Sequence, residues 1–136
     1  MNTKDKTMKT IKTAMELAKG NEAMTDFVSL IGELAGTLHS DVKVNARVGQ
    51  EEDGEFASLM HLVLTDRVAF VPYMVGGAPC LVIRSIRCGD FILDLTRIER
   101  MTQKVDDSSG WVTYHTFRFR QNGQFDCILD IAVNKS

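Results

Sequence analysis

Cysteine, proline and unbalanced charge are all scarce in this sequence, and each scarcity excludes something. The three cysteines, Cys80, Cys88 and Cys127, are an odd number at scattered spacings with no Cys-x-x-Cys. They support neither a disulfide framework nor a zinc knuckle, and fit reduced thiols in a cytoplasmic setting. A formal net charge of -2 over 136 residues lacks the basic footprint of a dedicated nucleic-acid binder. Long apolar runs are missing too. Met1 to Thr13 is polar and lysine-bearing, and charges return at Glu16 and Lys19 before an apolar core of about seven to fifteen residues is completed, so an export signal and a membrane span are not expected. There is no Gly-rich phosphate cradle, no Gly-x-Ser-x-Gly elbow and no His-Glu-x-x-His pair. No catalytic residue, metal ligand or cofactor is therefore assigned.

What is present is a pattern for folding. With 44% hydrophobic and 25% charged residues, residues 1–136 read as one soluble domain able to bury about two thirds of its chain surface. The clearest stretch is Trp111 to Val133. Trp111, Thr113, His115, Phe117 and Phe119 alternate with Val112, Tyr114, Thr116, Arg118 and Arg120, and Phe125, Cys127, Leu129, Ile131 and Val133 form a second alternating row. This is the period-two signature of two half-buried strands. A two-residue Asn122-Gly123 turn would set each apolar row against the other's polar row. A three-residue loop, Gln121-Asn122-Gly123 with Gly123 left-handed, instead predicts Phe119 opposite Phe125, Phe117 opposite Cys127, His115 opposite Leu129 and Arg118 opposite Asp126.

In chain order, residues 1–7 are charged and small and are expected to fray. Met8, Ile11, Ala14, Met15 and Ala18 recur at spacings of three and four, which predicts a helix stopped at Gly20. Asn21 then caps a second helix whose stripe is Phe27, Leu30, Ile31, Leu34, Ala35 and Leu38, so residues 8–38 are helical. Residues 41–133 follow as a β-meander. Val42, Val44, Ala46 and Val48 point inward, and Gln50 to Glu55 is an acidic turn. Phe56 to Leu64 is a strand, and Val68 to Val75 is a strand apolar on both faces, with Pro72 at an edge or bulge. A second hairpin, looped at Arg87-Cys88-Gly89, predicts Ser85 opposite Phe91, Ile83 opposite Leu93 and Leu81 opposite Leu95. It gathers Arg84, Asp90 and Asp94 on the outer face. Thr96 to Val105 is read as a strand.

The expected fold class is α+β: two N-terminal helices followed by a mostly antiparallel meander of about seven or eight strands, curled into a barrel or a strongly bent sheet. The run Phe91-Ile92-Leu93-Asp94-Leu95-Thr96-Arg97-Ile98 resembles the strand-turn-strand of bacterial pleckstrin-homology-like barrels. Only three residues follow Val133, which leaves no room for that family's closing C-terminal helix, and no residue is carried across.

Two functional readings come from the residues. The first is a non-enzymatic interaction or regulatory module, accessory or inhibitory, acting as a homo-oligomer or on a protein partner. Its candidate contacts are the small-residue strip of Gly32 and Gly36 on the second helix and Val71 and Tyr73 on the strand with two apolar faces. The bland reading of the glycine strip is packing inside one chain. The second is a β-barrel binding a small molecule or nucleotide in a mouth lined by Arg84, Tyr114, His115, Arg118 and Arg120. Against it, Asp90, Asp94, Asp126 and Asp130 alternate with arginines as on an ordinary solvated sheet face. The histidines read as structural, His39 closing the second helix and His61 and His115 lying in apolar surroundings, unless the last two converge.

Overall fold

A computed structural model describes residues 2–123 and 125–135. The first helix, α1 (Thr3–Leu17), starts five residues before the expected Met8, and residues 3–7, expected to fray, are helical. The cause is a cap that apolar spacing cannot reveal: the Asn2 side chain accepts a hydrogen bond from the Asp5 N–H at 2.8 Å. Helix α2 (Glu22–Leu34) is capped in the same way by Asn21, which accepts from Met24 N–H at 2.9 Å. It ends four residues short of the expected Leu38. Ala35 leaves the helical region, and His39 Nε2 lies 2.6 Å from the Leu34 carbonyl, so the ring N–H satisfies one of the last free carbonyls. His39 itself sits in a two-residue strand, β1 (Leu38–His39), with its ring edge-on to Phe70 at 6.2 Å.

The remaining strands are β2 (Val42–Glu52), β3 (Glu55–Leu64), β4 (Val68–Val75), β5 (Ala78–Ser85), β6 (Gly89–Asp94), β7 (Ile98–Asp106), β8 (Val112–Gln121) and β9 (Phe125–Asn134), with a 3-10 turn, Leu95–Arg97, between β6 and β7. They form two antiparallel sheets, one ordered β1-β4-β5-β6 and the other β3-β2-β9-β8-β7. The α+β class and the antiparallel pairing are as expected. The sheets do not close into a hydrogen-bonded barrel among the described residues.

Both hairpins have three-residue loops, but each register differs from the expected one. In β8–β9, Gln121 pairs with Phe125, Phe119 with Cys127, Phe117 with Leu129, His115 with Ile131 and Arg120 with Asp126. The loop is residues 122–124, of which Gln124 lies outside the described residues; Asn122 and Gly123 both have positive φ, 51° and 74°. In β5–β6, Ser85 pairs with Gly89, Ile83 with Phe91 and Leu81 with Leu93, and the loop is residues 86–88. Arg84 lies opposite Asp90, and Asp94 shares that outer face. Trp111, expected on the inner face of the hairpin, precedes β8 and is 81% exposed.

The core lies between the sheets, with the two helices packed into it. Phe27 of α2 meets Phe117 edge-on at 5.0 Å and lies 6.4 Å from Phe119. Ala14 and Ala18 of α1, Val44, Phe70, Leu81, Ile83, Leu129 and Ile131 belong to the same buried cluster. The outer faces of both sheets are left without a helix over them.

Candidate functional site

The five residues expected to line a ligand mouth fall in three places. Arg84 is on the outer face of the four-stranded sheet, where its Nε and one terminal nitrogen donate to the two Asp90 oxygens at 2.9 and 3.1 Å. His115 faces inward, beside Phe117 and the Asp26, Ser29 and Glu33 side of α2. Burial holds its pKa below the ordinary histidine value, with Glu33 opposing weakly. Tyr114, Arg118 and Arg120 share the outer face of the five-stranded sheet, but Tyr114 pairs with Ala132, far along the ladder from Arg120 and Asp126. Only Arg118 and Arg120 are brought together.

Their meeting point is Asp126, which is 8% exposed. Arg120 Nε donates to one carboxylate oxygen at 3.1 Å and Arg118 to the other at 3.2 Å, while Arg118 also reaches Glu51 at 3.3 Å. Arg47, on neighbouring β2, pairs with Asp130 at 3.5 Å, and Thr116 Oγ1 donates to Asp130 at 2.7 Å. The Arg47 and Arg118 guanidinium carbons lie 5.9 and 5.7 Å from the Phe56 ring centre, within cation-π range. Desolvation pushes the Asp126 pKa up, but the hydrogen bonds from Arg120 and Arg118 outweigh it and hold the carboxyl below its ordinary value. Three arginines are thus met by three carboxylates. A nucleotide phosphate arriving here would have to displace partners already in place. Arginines alternating with aspartates in sequence were the readable part of this cluster. The contributions of Arg47, Glu51 and Phe56 from other strands were not.

The expected interface residues also separate. Gly32 faces α1 on one side, where an added Cβ would lie 3.6 Å from Ile11 Cγ2, and is otherwise exposed. Gly36 lies beyond the helix end at φ 93° in open space, so the two glycines do not form one helix face. Val71 and Tyr73 are neighbours on β4, on its outward side. Val71 pairs with Val82 and Val82 with Ile92, which makes a continuous apolar row across three strands. Val71 is 37% and Ile92 62% exposed.

Two depressions adjoin these elements. One, of about 480 Å³, opens between the sheets and is lined by Met60, Leu62, Phe91, Leu93, Phe125 and Gln121. Gln121 Nε2 is buried there without a hydrogen-bond partner among the described residues. The other, of about 500 Å³, is a groove between α1 and β4, lined by Lys6, Lys9, Val71, Pro72, Tyr73 and Met74.

The remaining chemistry-bearing groups have structural surroundings. His61 bonds Asn45 Oδ1 at 3.3 Å on the outer face of the five-stranded sheet, the face opposite to His115, so these two histidines do not converge. Among the described residues no group of three or more His, Cys, Asp or Glu is placed to hold a metal ion. Burial pushes the Cys127 thiol to about 12 and, with a smaller contribution from Asp94, raises that of Cys80; Cys88 is exposed at the β5–β6 turn. No described helix is long and apolar enough to cross a membrane. Comparison of the chain with protein-family models, curated proteins and solved structures finds no match.

Proposed function

We propose that the chain is a non-enzymatic interaction module, accessory or inhibitory in character, that acts by associating with further copies of itself through the outer face of the four-stranded sheet. The carrying observation is the apolar row Val71, Val82 and Ile92, whose outer members Val71 and Ile92 are exposed while Val82 between them is buried, with Tyr73 beside it. Helix α1 borders this face only beside Val71 and Tyr73 and leaves Val71 and Ile92 exposed, although β4 and β5 carry apolar residues on both sides. A half-buried antiparallel strand has no need of a second apolar row unless something covers it. The internal pairing of Arg47, Arg118 and Arg120 weighs against the nucleotide alternative. Action in a reducing, cytoplasmic compartment belongs to the same proposal, since all three cysteines are free thiols.

Size-exclusion chromatography with light scattering tests this directly. Wild type is expected to elute as a dimer or larger species, and Val71→Arg and Ile92→Arg as folded monomers, because both side chains are already partly in solvent. A wild type that stays monomeric at high concentration overturns the proposal. A second reading draws on Gln121: its unpartnered amide beside an apolar opening favours a small apolar ligand bearing a hydrogen-bond acceptor. Tightening of an environment-sensitive apolar dye in wild type but not in Gln121→Leu would support it, and equal binding by the two would dismiss it.

A further inference from the structure

The small net charge conceals a separation of charge between two elements of the fold. Helix α1 carries Lys4, Lys6, Lys9 and Lys12, and none of these has a carboxylate within ion-pair distance among the described residues; the pairs formed by lysine are confined to Lys19 with Glu16. At the β2–β3 turn stand Glu51, Glu52, Asp53 and Glu55, and among the described residues only Glu51 of these has a basic partner, Arg118. Nothing within one chain joins the basic set to the acidic one.

Each set also borders an unpaired strand edge. β1 covers β4 only at Val68 and Ala69, so Val71 to Val75 has β5 on one side and no strand on the other. That free edge, with Lys6 and Lys9 across from it, forms the groove of about 500 Å³. Pro72 fits this position because its missing N–H is lost only on the open side, where its carbonyl remains able to accept. β3 is the outermost strand of the other sheet and has a free edge of its own. Its exposed residues include Leu59, 67% exposed at the bulge, and Met60, 56% exposed. Long apolar edges of this kind are surfaces that add strands.

Resting on the self-association reading above, we infer that the association is head-to-tail: the groove between α1 and β4 of one copy receives the acidic β2–β3 hairpin of the next. Lysines meet carboxylates at the rim, and Val71 and Tyr73 meet Leu59 and Met60 at the centre. The two surfaces differ, so the contact is heterologous and builds closed rings or open chains of copies rather than an isolated two-fold pair.

The test is a charge swap on the full chain, followed by light scattering at low and high salt with circular dichroism as the folding control. Lys6→Glu with Lys9→Glu gives one variant, and Glu52→Lys with Glu55→Lys the other. Wild type should associate at low salt and dissociate as salt rises. Each variant alone should associate about tenfold or more weakly, and an equimolar mixture should recover assembly with the two variants alternating. Variants that associate as wild type does, a mixture that stays dissociated, or wild-type assembly indifferent to salt would each overturn the head-to-tail arrangement while leaving association through the sheet face standing. A wild type that never associates removes both.

Discussion

Asp126 is a carboxylate whose pKa burial pushes up and two arginines more than pull back, so that it lies below its ordinary value. Its folded pKa lies below its unfolded one, so its contribution to stability is complete above the ordinary aspartate value near 3.8 and is lost as pH falls through the folded value. Wild type should therefore lose stability steeply in acid below that value. Asp126→Asn should be less stable at neutral pH and show a shallower acid loss, which urea titrations between pH 2 and pH 7 would reveal. The glycines divide by cause. At Gly49, beside the β-bulge, an added Cβ would sit 2.0 Å from the Ala57 carbonyl oxygen, a backbone atom that cannot step aside. Gly49→Ala should cost about 2–3 kcal/mol by urea midpoint. At Gly123 the space is open and only the left-handed backbone resists a side chain, so Gly123→Ala should cost about 1 kcal/mol. Asn122 shares that conformation, so Asn122→Ala should also destabilise, which a turn with Gly123 alone left-handed would not predict. Thiol titration offers a separate check: one cysteine, Cys88, should react in the native protein and all three after unfolding.

The elements show how far a pattern can be read. Alternation tells which residues face inward, and for β2, β8 and β9 the inward rows are those the sequence displays. Moving a hairpin register by two residues leaves every side chain on its original face, so alternation determines the parity of the pairing and nothing finer. That is why the pattern gives both hairpins their inward faces and a three-residue loop yet places Phe119 opposite Phe125 rather than Cys127. Both registers set an arginine opposite Asp126, Arg118 in one and Arg120 in the other, so the cross-ladder ion pair does not distinguish them either. Helix ends were misjudged for a related reason. Apolar spacing marks the buried stripe, whereas the actual boundaries are set by polar groups, Asn2 at one end and His39 at the other, and one of these comes from a strand. The candidate site was less legible still, because Arg47, Glu51 and Phe56 reach Arg118 only once β2 and β3 have folded beside it. Phe27 is the largest of the buried side chains of helix α2, and Phe27→Ala should cost about 3–5 kcal/mol in chemical denaturation by emptying the space against Phe117 and Phe119.

At the scale of the whole molecule, two sheets share one core but end in free edges at β3, β6 and β7 and along β4 beyond the short β1. Amide hydrogen exchange should follow this layout, slowest in β2, β8 and β9, which have a strand on each side, and faster along β3 and β7. The placement of β9 has a consequence for how the protein comes to exist at all. It lies between β2 and β8, and Val42 pairs with Val133, residues separated by most of the chain. The β2–β3 hairpin can zip up early from local contacts, but its inner row of Val42, Val44 and Ala46 finds its neighbouring strand only after β9 has been synthesised. Refolding should accordingly run on the slow, milliseconds-to-seconds side for a domain of this size, limited by closure of that long loop. During synthesis on the ribosome the half-built sheet exposes a ready-made sticky strand, which makes the interval before β9 emerges the moment when nascent chains are most prone to capture one another.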